Sequence, residues 1–304
     1  MNGLTLKHLR YFMALSRHGH FGRAAEACGI SQPALSVQIK ELEALLGAPL
    51  TERSARQIRL SSLGEALAER AREILSAVDE LDDLARISRG SLGGRLRIGV
   101  IPTIAPYLLP GLIKELAAHY PELDIQPREA VTRTLLRDLG EGQLDLAIVA
   151  LPVSESAFHE EPLFEEEFVL VRPLADADKP VPNPKRLLEM RLLLLEEGHC
   201  FRDQALSFCS PSGLGTRELI EGSSLTTLVQ MVSAGIGVTL IPEMAVQMET
   251  LSAQVSVARL PRPHPKRTVG IVWRKSSPMA PRFSEMAETL RRFEHERRMT
   301  SAGG

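Results

Sequence analysis

Cysteine is scarce in this 304-residue chain, which has three. So few cannot staple a disulfide-scaffolded fold, and in a reducing compartment a disulfide among them would be catalytic or sensory. Long apolar runs are missing too: no stretch approaches the roughly eighteen apolar residues that a membrane helix needs. Met1 to Arg10 has no charged stretch leading into an apolar one, so the expected location is cytoplasmic, with no membrane partner. No metal-ligand spacing, nucleotide loop or hydrolase triad is present, and no cofactor is expected. Gly235-Ile236-Gly237 is an isolated Gly-x-Gly and reads as a turn. The single tryptophan, Trp273, reads as structure. What remains, 44% hydrophobic and 24% charged, is ordinary globular material, long enough for two or three cores.

The net charge of −2 conceals an asymmetry. Residues 1–62 carry eight Lys or Arg against four Glu, a surplus of four, which leaves −6 for the remainder. A basic head on an acidic body suits a nucleic-acid reader joined to a sensing domain.

Within the head, Leu6, Leu9, Phe12 and Leu15 share a helical face that breaks at Arg17 to His20, and Phe21, Ala24, Ala25 and Cys28 share a second. Cys28 on that apolar face reads as a core residue. Gly29 supplies a turn into a third helix, with Ser31 as N-cap and Pro33 in the first turn. Leu35, Ile39, Leu42 and Leu46 fall on one side of it, and Gln32, Ser36, Gln38 and Lys40 on the other. Two helices across a tight glycine turn predict a helix-turn-helix whose second helix enters the major groove of double-stranded promoter DNA. Gln32, Ser36 and Gln38 are the candidate base readers, with Pro33 shaping the same DNA-binding turn. Two short strands from Pro49 to Leu60 predict a wing that grips phosphate through Arg53 and Arg56. From Ser62 to about Ser88, Leu67, Ala71, Ile74, Val78, Leu81 and Ala85 alternate spacings of four and three, a coiled-coil seam and hence a dimerisation helix.

Beyond a hinge at Gly90 to Gly94, strand and helix patterns alternate as βαβαβ up to Leu151, and a second unit starts near Phe168; both predict a mostly parallel α/β sheet. The second unit contains Gly198-His199-Cys200-Phe201-Arg202-Asp203-Gln204-Ala205-Leu206-Ser207-Phe208-Cys209. Cys200 lies among His199, Arg202 and Asp203, a polar setting that can favour a thiolate, and Cys209 follows the apolar Phe208. If this stretch is helical, nine steps of about 1.5 Å separate the Cα atoms by roughly 13.5 Å. A disulfide tolerates only about 4.4 to 6.8 Å. The two could join only with the backbone rebuilt. The residues alone leave other readings open: a regulator binding a small organic effector with its cysteines idle, and a thiol peroxidase fused to a DNA-binding head.

Head, linker and body together resemble a LysR-type transcriptional regulator over essentially the full length. The cysteine segment, Ile101-Pro102-Thr103, Pro106 to Pro110 and Glu129-Ala130-Val131-Thr132 resemble the hydrogen-peroxide-sensing branch of that family. The resemblance implies a fold of N-terminal winged helix-turn-helix (1–61), linker helix (62–90) and a two-lobed periplasmic-binding-protein-like α/β domain (91–304). The first lobe would comprise 95–165 with 266–304, the second 166–265. It further implies a non-enzymatic sensor of hydrogen peroxide controlling antioxidant genes. Cys200 would be the peroxidatic thiol and Cys209 the resolving one, with Thr103, Thr132, His199, Asp203 and Arg267 binding peroxide. A homodimer pairing into a tetramer, a cellular dithiol reductant and RNA polymerase are the implied partners. Pro211, just after Cys209, departs from the branch's pattern and would stiffen the segment that must move.

Overall fold

A computed structural model describes residues 3–53, 58–88, 94–209 and 220–302. The chain divides into two units, Met1–Ala85 and Arg86–Gly304.

In the first unit, α1 (Leu6–His18) opens with a capping box at Thr5 and closes at Gly19, whose φ of 58° is left-handed. Then come α2 (Phe21–Ala27) and α3 (Gln32–Leu46), with Ser31 Oγ accepting from the Ala34 amide at 3.4 Å. Leu35, Ile39 and Leu42 pack on Phe12, Leu15, Ala24 and Ala25. Leu46, expected on the same buried face, ends α3 beside the left-handed Gly47 and stays exposed. Cys28 caps α2, half-buried, and burial pushes its thiol pKa up. The wing is an antiparallel pair, β1 (Thr51–Arg53) and β2 (Ile58–Leu60).

The linker helix α4 (Ser62–Ser88) starts by pressing Gly64 against the head, where a Cβ would come within 2.1 Å of the Leu50 carbonyl oxygen. The predicted seam divides in two. Leu67 packs partly buried against the head's core and Ala71 is buried, whereas Ile74 and Leu81, at 44% and 63% exposure, are not.

The second unit runs β3 (Gly94–Val100), α5 (Ala105–His119), β4 (Leu123–Glu129), α6 (Thr132–Gly140), β5 (Leu146–Leu151), β6 (Phe158–Pro173), α7 (Pro184–Glu189), β7 (Leu192–Leu195) and α8 (Cys200–Cys209). It continues with β8 (Ile220–Gly222), α9 (Leu225–Ser233), β9 (Val238–Pro242), α10 (Val246–Glu249), β10 (Val255–Arg259), β11 (Lys266–Arg274) and α11 (Ala280–Ala302). The strands join in the order β4-β3-β5-β11-β6-β9-β7-β8, with β10 also on β6. The sheet is parallel within β4-β3-β5 and within β9-β7-β8. Between those groups it is antiparallel, which corrects the mostly parallel expectation. The cause is the double crossing of the chain: β6 and β11 carry it between two cores and run against their neighbours.

One core gathers Ile98, Val100, Leu112, Ile148, Trp273 and Phe283; the other gathers Phe168, Leu170, Leu193, Phe201, Leu228 and Leu240. Sixteen-residue β6 belongs to both, with Phe158 and Leu163 in the first core and Phe168 to Val171 in the second.

Candidate functional site

β3 and β4 are adjacent and parallel, with Val100 opposite Glu129. Thr103 and Thr132 each lie three positions further on, so both leave the carboxyl ends of neighbouring strands, where open α/β sheets hold ligands. Against them stands the start of α8. Gly198, with a left-handed φ of 96°, turns the chain out of the second core and Cys200 becomes the first residue of the helix. Thr103, Thr132, His199 and Cys200 line one small cleft with Ile101 and Phe201. Four of the seven residues proposed for redox chemistry thus converge.

Cys200 is a half-buried free thiol at the amino end of a ten-residue helix, the end at which a helix dipole favours an anion. Burial lowers the His199 pKa more than the Glu196 and Glu129 carboxylates raise it, so the imidazole facing the cleft is held neutral at pH 7. Thr132 Oγ1 is buried without a hydrogen-bond partner. Thr103 Oγ1 accepts from Arg267 Nη1 at 2.7 Å, and the Thr103 carbonyl accepts from Nη2 at 2.9 Å. Arg267 therefore stands behind the cleft and reaches it through Thr103. Its guanidinium also lies 5.7 Å from the centroid of the Phe201 ring, next in sequence to Cys200. Glu166 completes the group: Oε2 accepts from Arg267 Nε at 2.8 Å, and Oε1 from the Met244 amide at 2.8 Å.

Asp203 is exposed in the first turn of α8 and does not line the cleft. Arg202, counted in the sequence as part of the polar setting of Cys200, is directed elsewhere. Its Nη1 donates to the Leu195 carbonyl at 3.0 Å and to Glu221 at 2.6 Å, tying α8 to β7 and β8. Phe201 anchors the same turn, its ring edge-on to Phe168 at 4.7 Å. Gln204, for which spacing gives no signal, has a buried Oε1 without a hydrogen-bond partner. Glu166 is another residue that no motif marks, hidden in the acidic run Glu165-Glu166-Glu167.

Cys209 ends the helix that Cys200 begins. The conditional geometry of the sequence therefore applies, and the Cα atoms stand roughly 13.5 Å apart. Pro211 lies outside the described residues.

In the head, Gln32 and Pro33 are exposed on α3 and Ser36 is half-exposed. Gln38 Nε2 donates to Glu41 Oε2 at 2.6 Å, which turns its amide along the helix. Arg53 closes β1, and Arg56 lies outside the described residues.

Comparison with known proteins bears on the whole chain. Residues 6–65 match the family "bacterial regulatory helix-turn-helix protein, lysR family", and residues 89–294 match the LysR substrate binding domain. A probable hydrogen peroxide-inducible genes activator of Streptomyces viridosporus is 43% identical, covering 94% of this chain and 93% of its own. The DNA-binding transcriptional dual regulator OxyR of Escherichia coli K12 is 40% identical over 95% of each chain. Among solved structures, full-length OxyR from Pseudomonas aeruginosa with a cysteine-to-aspartate substitution superposes with a TM-score of 0.74 at 37% identity, covering 96% of each chain. A hydrogen-peroxide-bound cysteine-to-serine mutant of Corynebacterium glutamicum OxyR gives 0.66 at 36% identity, covering 96% of this chain and 93% of that one.

Proposed function

This chain belongs to the LysR family of transcriptional regulators and is a DNA-binding, peroxide-sensing activator; from that premise we propose that it senses peroxide by reversibly joining Cys200 to Cys209. The observation that carries the reading is the position of Cys200: first in its helix, facing two threonines across a small cleft, with Cys209 at the far end of that helix.

The Cys200 thiolate attacks one oxygen of hydrogen peroxide. An S–O bond forms, the O–O bond breaks, and the departing hydroxide takes a proton to leave as water. Thr103 and Thr132 donate to the peroxide oxygens, and Arg267 holds Thr103 from behind. Neutral His199 exchanges a proton with the site, and Asp203, exposed on the same helix, relays it to solvent. The Cys209 thiolate then attacks the Cys200 sulfenic sulfur and expels a second hydroxide. Two thiols and one peroxide thus give one disulfide and two waters.

That bond requires α8 to unwind. Closing a ten-residue ring contributes about 2.7 kcal/mol through unfolded-chain entropy, comparable to the roughly 2 to 5 kcal/mol lost when one large buried side chain is truncated. A cellular dithiol restores the thiols by exchange.

Dimerisation falls to α4, whose outer half leaves Ile74 and Leu81 uncovered, with pairing of dimers into a tetramer on promoter DNA. RNA polymerase is the downstream partner, antioxidant genes are the output, and the cytoplasm is the site of action. Promoter footprinting of the full-length protein before and after one equivalent of peroxide tests the reading. The footprint is expected to change in the native protein and not in Cys200→Ser; identical footprints for the native protein in both states would overturn it.

A further inference from the structure

Within the second unit, the Glu166–Arg267 ion pair is sealed from solvent, with side-chain exposures of 1% and 0%. Such a pair is a poor source of stability, because desolvation offsets most of its attraction. Its contacts are directional instead. Arg267 gives Nε and Nη2 to Glu166, Nη1 to Thr103 Oγ1, and Nη2 also to the Thr103 carbonyl. A threonine hydroxyl has one proton to donate and two lone pairs that accept. With the guanidinium occupying the accepting side of Thr103 Oγ1, its proton is left for an acceptor on the cleft side. Among the described residues no protein acceptor for that proton is found. A peroxide oxygen gaining negative charge as the O–O bond breaks is such an acceptor, and donors fixed in advance are the ones that lower a barrier.

We propose that Glu166 is a positioning residue of the peroxide site: by holding Arg267 against Thr103 it fixes the Thr103 hydroxyl as a donor into the cleft. Glu166 is not among the residues that line the cleft and acts through two other side chains. Its second oxygen is engaged by the Met244 amide, just beyond β9. The carboxylate is thereby held at both ends, by Arg267 of β11 and by the backbone just beyond β9. The inference rests on the peroxide-sensing reading above.

The test is rapid-quench kinetics on reduced, full-length protein, reading Cys200 oxidation by peroxide and, separately, Cys200 alkylation by iodoacetamide. Both are taken at one and the same pH, so that the alkylation rate reports any change in thiolate content. Glu166→Gln is expected to lower the peroxide rate between about tenfold and a hundredfold and to leave alkylation unchanged. A role confined to folding would lower both together or neither. In a Thr103→Val background the same substitution is expected to change the peroxide rate less than twofold, since the residue through which Glu166 acts is gone.

Should Glu166→Gln fail to fold around an unpaired guanidinium, the paired replacement Glu166→Leu with Arg267→Met removes both charges together. It is expected to fold and to show the same loss of peroxide rate. A native-like peroxide rate in either variant, or a persisting effect of Glu166→Gln without the Thr103 hydroxyl, would overturn the proposal. Native protein whose Cys200 ignores peroxide would overturn the sensor reading itself and this inference with it.

Discussion

Thr132 offers an unusual separation of stability from chemistry. Its Oγ1 is buried and unpartnered, and an unsatisfied buried hydroxyl costs about 1 to 3 kcal/mol. Valine has nearly the same shape and no polar atom. Thr132→Val should therefore leave the fold as stable as the native protein or stabilise it by up to that amount. The reaction should respond in the opposite direction. If the hydroxyl donates to an oxygen that becomes charged, its loss removes about 1.5 to 3 kcal/mol from the transition state. At 1.36 kcal/mol per decade that slows Cys200 oxidation roughly tenfold to 150-fold. Rapid-quench oxidation with mass-spectrometric readout of Cys200 gives the rate, and urea unfolding of the reduced protein gives the stability. Thr103→Val is the control: its Oγ1 accepts from a buried guanidinium, so its loss should both slow the reaction and destabilise the fold by about 1 to 3 kcal/mol. A Thr132→Val protein that is destabilised yet oxidised at the native rate would refute the reasoning on both counts.

Three further outcomes are expected. Burial depresses the His199 pKa below 6.5, so as pH falls below about 6.5 the unfolded chain takes up a proton before the native one; the stability present above that pH is lost until the folded pKa is reached. His199→Gln should remove that component of the slope in urea unfolding measured across pH. In the head, Arg53→Ala should weaken binding on all DNA sequences alike and reduce the slope of log K against log salt by about 0.9 in titrations. Glutamates at Ile74 and Leu81 together should shift the protein from oligomer towards monomer in sedimentation, with the head's circular dichroism unchanged.

The parts of this fold that are legible in the sequence are those with a strong local signal. Ser31 and Gly47 bracket α3, and the four-and-three spacing marks α4 before any tertiary contact is considered. The strands β5, β7 and β9 carry apolar runs, and β3 and the start of β4 alternate apolar with polar residues. By contrast, the amino-terminal half of β6 gives no strand signal, because Glu160, Glu161 and Glu165 to Glu167 are poor strand formers. They hold the strand through pairing with β11, where Lys266 faces Glu167 and Arg267 faces Glu166. That pairing spans a hundred residues of sequence and leaves no periodic trace. The short β8 and β10 are hidden for a similar reason.

At the site, the two cysteines and the strand-end threonines are visible as residues, but their convergence follows from the β3 and β4 register and from Gly198. Arg202 shows the reverse: adjacency to Cys200 in sequence suggests electrostatic help, whereas one helical step turns it towards Leu195 and Glu221. Gln204 and Glu166 are found only in three dimensions, Gln204 by a buried oxygen without a hydrogen-bond partner and Glu166 by its buried pairing with Arg267.

One equivalent of peroxide should join two residues which α8 holds at its opposite ends. The most direct measurement is mass spectrometry of peptides from native, full-length protein oxidised with stoichiometric peroxide and quenched in alkylating agent. A peptide pair linked through Cys200 and Cys209, with Cys28 alkylated, is the expected product, and dithiol treatment should return both thiols. Cys200 found only as a sulfenic or sulfinic acid, with Cys209 still alkylated, would contradict the account.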